Sequence, residues 1–168
     1  MAQSIPAGLE ARVGFASWRQ PEPGSQRYQL KELTLSGDEM PGWTLLQARH
    51  VRVPGTPPFV RSTWARTPDE ADPLLLLDVH IPDSPASARS LALRLLGDFQ
   101  SPLLTRDSAA AIGEVAFGDG SSNWIVFVRG NLVVWLRNGG RRVVPVLDAA
   151  RALDAALVRR SGGGQTPG

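Results

Sequence analysis

Cysteine is absent from the 168 residues, which excludes disulfides, thiolate metal ligands and cysteine nucleophiles together and leaves the redox compartment open. Histidine is nearly absent. His50 and His80 are the only two, and neither stands in HExxH or another short metal-ligand spacing. The chain has no GxSxG elbow and no GKS or GKT phosphate loop, so the short signatures of serine hydrolases and P-loop nucleotide binding are missing. No apolar run approaches the ~18 residues that span a bilayer. The stretch from Met1 to Gly8 carries neither the basic nor the apolar region of a secretion signal. A soluble protein is expected, either cytoplasmic as written or exported after removal of a signal.

Lysine is scarce as well, with Lys31 alone against seventeen arginines, and the net charge is only +2. That charge is spread as +3 over residues 1–68, −4 over 69–107 and +3 over the remainder. No continuous basic stripe with interleaved aromatic residues emerges, which disfavours nucleic acid as a partner.

The strongest local pattern runs from Asn123 to Arg137, two stretches of strand-forming residues joined by Gly130-Asn131. A two-residue Gly-Asn connection suits the primed turns that match strand twist. With that turn, Arg129 pairs with Leu132, Phe127 with Val134 and Ile125 with Leu136. On the opposite face Val128 meets Val133, Val126 meets Trp135 and Trp124 meets Arg137. Both faces are apolar, so the hairpin is expected at the centre of a sheet with layers on both sides, or with one face left to a partner.

Upstream, strands are predicted over 11–18, 26–35, 43–53, 59–65 and 74–81, separated by Pro/Gly-rich turns. The hydrophobic phase shifts between Tyr28/Leu30 and Leu33/Leu35, and bends by β-bulges are expected there and within 43–53. Ser84 before Pro85 is an N-cap followed by a residue suited to the first helical turn, predicting a helix over about 85–99. Its stripe is Ala88, Leu91, Leu95 and Phe99, with Arg89 and Arg94 on the wet side. A short strand is expected over 141–146. A second helix is predicted over about 147–159, with Asp148 at its start and Arg159 at its end complementing the dipole. The expected fold is therefore α+β: an antiparallel β-sheet of five or more strands with two main helices packed mainly on one face. The expected organisation is a single domain over 1–160 and a flexible C-terminal tail over 161–168.

Few residues offer chemistry. Asp78 and His80 project from one strand face and could orient an imidazole, while Asp69, Glu70 and Asp72 form an acidic loop without the glycine and terminal glutamate of an EF-hand. Gly118-Asp-Gly-Ser-Ser-Asn123 lacks the last glycine of a dinucleotide loop and leads into a strand rather than a helix. An enzyme, metal-dependent or hydrolytic, centred on His80, Asp78 and residues 69–72 is thus the alternative rather than the leading hypothesis, and no cofactor is implied. Five tryptophans, Trp18, Trp43, Trp64, Trp124 and Trp135, are either core or the lining of an apolar or carbohydrate groove. Trp124 opposite Arg137 suggests a cation–π contact.

Leu75–Ile81, Pro85–Phe99, Gly113-Glu-Val-Ala-Phe117, Phe127-Val-Arg-Gly-Asn131 and Leu147–Arg159 together resemble a pattern of small exported bacterial α/β domains. The nearest named group is that of the PsbP-like and LpqN-like lipoproteins. The resemblance covers 74–160 and implies an accessory or binding protein without catalytic residues; it carries over no functional residue. The function expected is a non-enzymatic binding or accessory domain acting through a sheet face or edge. Trp124, Val126, Val133, Trp135 and Arg137 are the candidate contact surface. The partner is another protein or a small apolar or carbohydrate ligand, with a homo-oligomer also open.

Overall fold

The structure, a computed structural model, describes residues 5–67 and 72–162. Within these residues lies one seven-stranded antiparallel sheet. Its strands are β1 (Thr44–Val51), β2 (Phe59–Ala65), β3 (Leu74–His80), β4 (Thr105–Arg106), β5 (Val115–Gly118), β6 (Trp124–Arg129) and β7 (Leu132–Asn138). Across the sheet they run β1-β2-β3-β7-β6-β5-β4. Two meanders, β1 to β3 and β4 to β7, thus meet where β3 pairs with β7. The chain leaves β3 at the seam and re-enters at the far edge, so it must cross one face of the second meander. Helix α3 (Pro85–Asp98) makes that crossing, and α4 (Leu147–Gly162) follows β7.

The two helices lie on opposite faces, not on one as expected. Ala88, Leu91, Ala92 and Leu96 of α3 cluster with Val126, Val128 and Val133. Ala149, Ala150, Leu153 and Leu157 of α4 cluster with Ile125, Phe127, Val134 and Leu136. Each hairpin face is apolar, and leaving either one wet would forgo the burial that stabilises the fold, roughly 1.5–3 kcal/mol for each large side chain. One helix per face satisfies both. Polar ties reinforce the arrangement: Arg129 grips Asp154 of α4 through two bonds of 2.8 and 2.6 Å. Arg89 of α3 bonds Glu114, whose other oxygen accepts from the Gly130 amide at 2.9 Å. Arg89, expected on the wet side, is buried by this role.

The hairpin register is the expected one at all six pairs, from Trp124↔Arg137 to Arg129↔Leu132. Gly130 sits at φ +56° while Asn131 is not among the positive-φ residues, the sign pattern of a II′ turn. The glycine is needed twice over, because a Cβ there would stand 2.1 Å from the Gln26 carbonyl oxygen. The turn is clamped against the N-terminal segment, where the buried Asn131 amide accepts from Tyr28 N–H at 2.6 Å and donates to Tyr28 O at 3.0 Å.

That clamp bears on why residues 26–35 form no strand: a side-chain amide, not a ladder, satisfies the Tyr28 backbone, and a 3₁₀ turn follows at Leu30–Glu32. Residues 11–18 are likewise not a strand. Two single-turn helices, α1 (Leu9–Arg12) and α2 (Phe15–Trp18), start after Gly8 and Gly14 at φ +79° and +64°. Leu9/Val13 and Phe15/Trp18 bury at helical spacing in the α3-side cluster. Residues 141–146 form no strand either, because their passing backbone pairs with the Asn138 side chain, Val144 N–H donating at 2.9 Å and Val144 O accepting at 2.8 Å. The bulge expected in β1 falls between Leu45 and Gln47. Helix α4 continues to Gly162, past the end expected near Arg159; residues 163–168 of the expected tail lie outside the described residues. No helix among those residues is long and apolar enough to cross a membrane.

Ser84 caps α3 as expected, its side chain accepting from Ser87 N–H at 3.1 Å. Leu96 is fully covered whereas Leu95 is only half-buried. Leu96→Ala is therefore expected to lower the denaturant midpoint more than Leu95→Ala, with about 2–5 kcal/mol lost at the former and less at the latter. Equal losses would show that the stripe is centred elsewhere.

Candidate ligand-binding site

Helix α3 covers only part of its sheet face. Cross-strand partners share a face, so the register lays out one row across the sheet: Arg49, Arg61, Asp78, Trp135 and Val126. Val126 at the α3 end is fully buried, while Arg49 at the β1 end is exposed. Trp135 and its diagonal neighbour Trp124 fall at the boundary and are half-buried. Phe99, the residue that ends α3, reaches over both indoles with ring centroids 4.9 Å from Trp124 and 5.0 Å from Trp135. The three rings, Arg137 and the polar Ser101, Asn123 and Asn138 enclose a hollow of about 330 Å³, near the lower end of ligand-site volumes.

Two of the walls, Trp124 and Arg137, are held from behind by hydrogen bonds. Trp124 donates its indole N–H to Asp119 at 3.0 Å, and Asp119 also accepts from the Ser121 amide at 3.0 Å. The Ser121 hydrogen bonds hold the Asp119 carboxyl below the usual range. The Gly118–Asn123 turn thereby acts as a clasp for an indole, a role that its turn chemistry alone did not reveal. Arg137 places its guanidinium carbon 3.7 Å from the centre of the Trp135 ring. The expected stacking on Trp124 is corrected: Arg137 and Trp135 alternate along one strand face, and Asp78, directly opposite Trp135, draws the guanidinium over that ring.

Asp78 is 1 % exposed. It accepts two bonds from Arg61, 2.7 Å from Nε and 2.9 Å from Nη2, and a third of 3.1 Å from Arg137 Nη1. Burial alone would raise its carboxyl, yet the Arg61 hydrogen bonds and the charges of Arg137 and Arg61 hold it below the ordinary range. The two cations fare differently. The Asp78 hydrogen bonds push Arg61 above its usual value, whereas burial pushes Arg137 below its own. Both guanidiniums stay charged, and Asp78 takes two bonds from the half-buried Arg61 and one from the more buried Arg137.

The expected contact residues are thus divided. Trp124, Trp135 and Arg137 line the hollow, while Val126 and Val133 are fully buried beneath α3 and present no surface. Phe99 was legible only as part of a helical stripe, and the Arg61–Asp78–Arg137 cluster needs the three-strand register to be seen.

The residues of the enzyme alternative do not converge among the described residues. Asp78 bonds two arginines and not His80. His80 is 6 % exposed and stacked on Phe59 at 4.6 Å. Burial lowers its pKa to about 4, which makes it a weak base near neutrality. Asp72 accepts from the Arg142 amide at 2.8 and 2.9 Å and precedes β3, whereas His80 ends that strand about 20 Å away at 3.3 Å per residue. Asp69 and Glu70 lie outside the described residues. Among those described, no three His, Asp or Glu side chains are grouped to hold a metal ion. No protein-family model matches the chain, and neither a curated protein nor a solved structure is found to match it.

Proposed function

We propose that the protein is a non-enzymatic binding domain whose site is the ring-lined hollow at the open end of the β6–β7 hairpin. The observation that carries this reading is the half-burial of Trp124 and Trp135 under Phe99, on a face where the neighbouring Val126 and Val133 are completely covered. Rigid indoles offer apolar area at small entropic cost, and a flat apolar or carbohydrate group, free or on another protein, completes the layer that α3 leaves unfinished. Covering about 100 Å² of ring and as much ligand contributes about 5 kcal/mol before the costs of association, so isolated small groups bind weakly and a larger partner binds better. The resemblance of residues 74–160 to accessory lipoproteins points the same way.

Titration with small apolar and sugar fragments, followed by the indole N–H resonances, is the test. Shifts are expected at Trp124 and Trp135 and not at Trp18, Trp43 and Trp64, which are buried elsewhere. Fragments that leave the first pair unmoved, or move all five alike, would remove the hollow from consideration as the site.

A further inference from the structure

We infer that the hollow is built for a small aromatic acid, the apolar ring of the ligand lying against Trp124 and Phe99 and its carboxylate pairing with Arg137. The inference rests on the hollow being a binding site and adds the charge of what it binds.

The geometry of Arg137 carries it. A guanidinium recognises a carboxylate best along its Nε–Nη2 edge, where two parallel N–H donors match two oxygens. Arg61 spends that edge on Asp78. Arg137 is tied to Asp78 through Nη1 alone. Its Nε and Nη2 have no partner among the described residues, and neither is among the buried unpaired polar atoms, so both reach solvent. The fork edge of Arg137 is therefore free beside three aromatic rings in a hollow that Arg137 itself lines.

Charge points the same way. Arg61, Arg137 and Asp78 sum to one positive charge, and the row beside them adds the exposed Arg49. The single acid is shared unequally, with two bonds from Arg61 and one from Arg137. A second carboxylate supplies what Asp78 does not. The site is also pre-organised: Trp135 beneath the guanidinium and Asp78 at Nη1 hold Arg137 in place, so little side-chain freedom is lost on binding. A bare inorganic anion would satisfy the arginine and leave the rings wet, whereas a neutral ring would do the reverse.

Phenylacetate, phenylacetamide and acetate separate these terms, with binding read from the Trp124 and Trp135 indole resonances. Phenylacetate is expected to bind about tenfold more tightly than phenylacetamide, the difference that one charge-assisted pair supplies at a partly exposed site, and acetate more weakly than either. Arg137→Gln should weaken phenylacetate about tenfold and phenylacetamide much less, so that the preference for the acid disappears, while unmoved resonances of Trp18, Trp43 and Trp64 report that the fold is intact. Raising the salt concentration should erode the preference in the unaltered protein, a comparison that decides the matter even if the variant unfolds. Equal affinity for phenylacetate and phenylacetamide overturns the inference and leaves the hollow a binding site. No response to either overturns both, and acetate binding as well as phenylacetate overturns the role of the rings.

Discussion

Asp78→Asn is expected to lower the stability of the fold by about 3 kcal/mol, read as a fall in the denaturant midpoint at neutral pH. The carboxylate is 1 % exposed and accepts from two guanidiniums. Removing one partner of a buried ion pair costs about 3–5 kcal/mol because the remaining charge stays desolvated. The lower end applies because Arg61 reaches solvent, with 38 % of its side chain exposed, whereas Arg137 at 18 % is less able to escape. Adding Arg137→Met to Asp78→Asn should therefore return part of the loss, as it removes the stranded cation while leaving an apolar stem against Trp135. A double-mutant cycle measures this coupling. Strictly additive effects, or a loss at Asp78 below about 1 kcal/mol, the range of a surface pair, would mean that Asp78 is not the organiser of the cluster.

Acidification from pH 7 to 4.5 should cost most of another ~3 kcal/mol through His80 alone. Burial holds the folded imidazole at about 4, against an ordinary value of 6.5, with Asp78 opposing that shift and Arg61 and Arg137 assisting it. Between these two values the unfolded chain binds a proton that the folded chain refuses. Stability therefore rises with pH through this window, and is lost as pH falls from 6.5 toward 4. That separation corresponds to about 3 kcal/mol. Asp78, Glu39 and Asp119, whose carboxyls are held below their usual range, add their own losses as pH falls through and below their ordinary values of 3.8 to 4.5. His80→Phe keeps an aromatic ring against Phe59 and removes the titration. Since His80 Nδ1 is buried with no partner among the described residues, the variant should match or exceed the native stability at pH 7 and stay nearly flat down to pH 4.5. A native protein equally stable at pH 7 and 5 would contradict the buried, neutral imidazole.

Both predictions depend on neighbours far apart in the chain, and that is where legibility in the sequence ends. Strands β2 and β3, both long helices and the hairpin register were readable because each depends on local features: the alternation of a strand, the Ser84-Pro85 cap, the Gly130-Asn131 turn. The strands expected over 11–18 and 26–35 do not form, because the apolar positions there are sparse and each helical piece is a single turn. Leu9/Val13 and Phe15/Trp18 are too short a pattern to outweigh strand propensity. Residues 141–146 were misread for a related reason, since a strand needs a ladder and the partner available was an asparagine side chain. Of the site, Trp124, Trp135 and Arg137 were readable as sharing a face, and nothing local showed that α3 would bury Val126 and Val133 beside them.

Alone, the sequence determined which residues share a face of the hairpin, because the two-residue turn and the period of two leave one register that keeps both faces apolar. It also determined that no cysteine chemistry is available. The tertiary structure decided which face each helix covers, and therefore where cover stops. That outcome depends on β3 pairing with β7, a contact between residues about sixty apart that obliges α3 to cross one face on its way to the far edge. The same long-range pairing brings Arg61, Asp78 and Arg137 together. Side chains from three strands form a charge cluster only after sheet order is set, and no local propensity encodes that order.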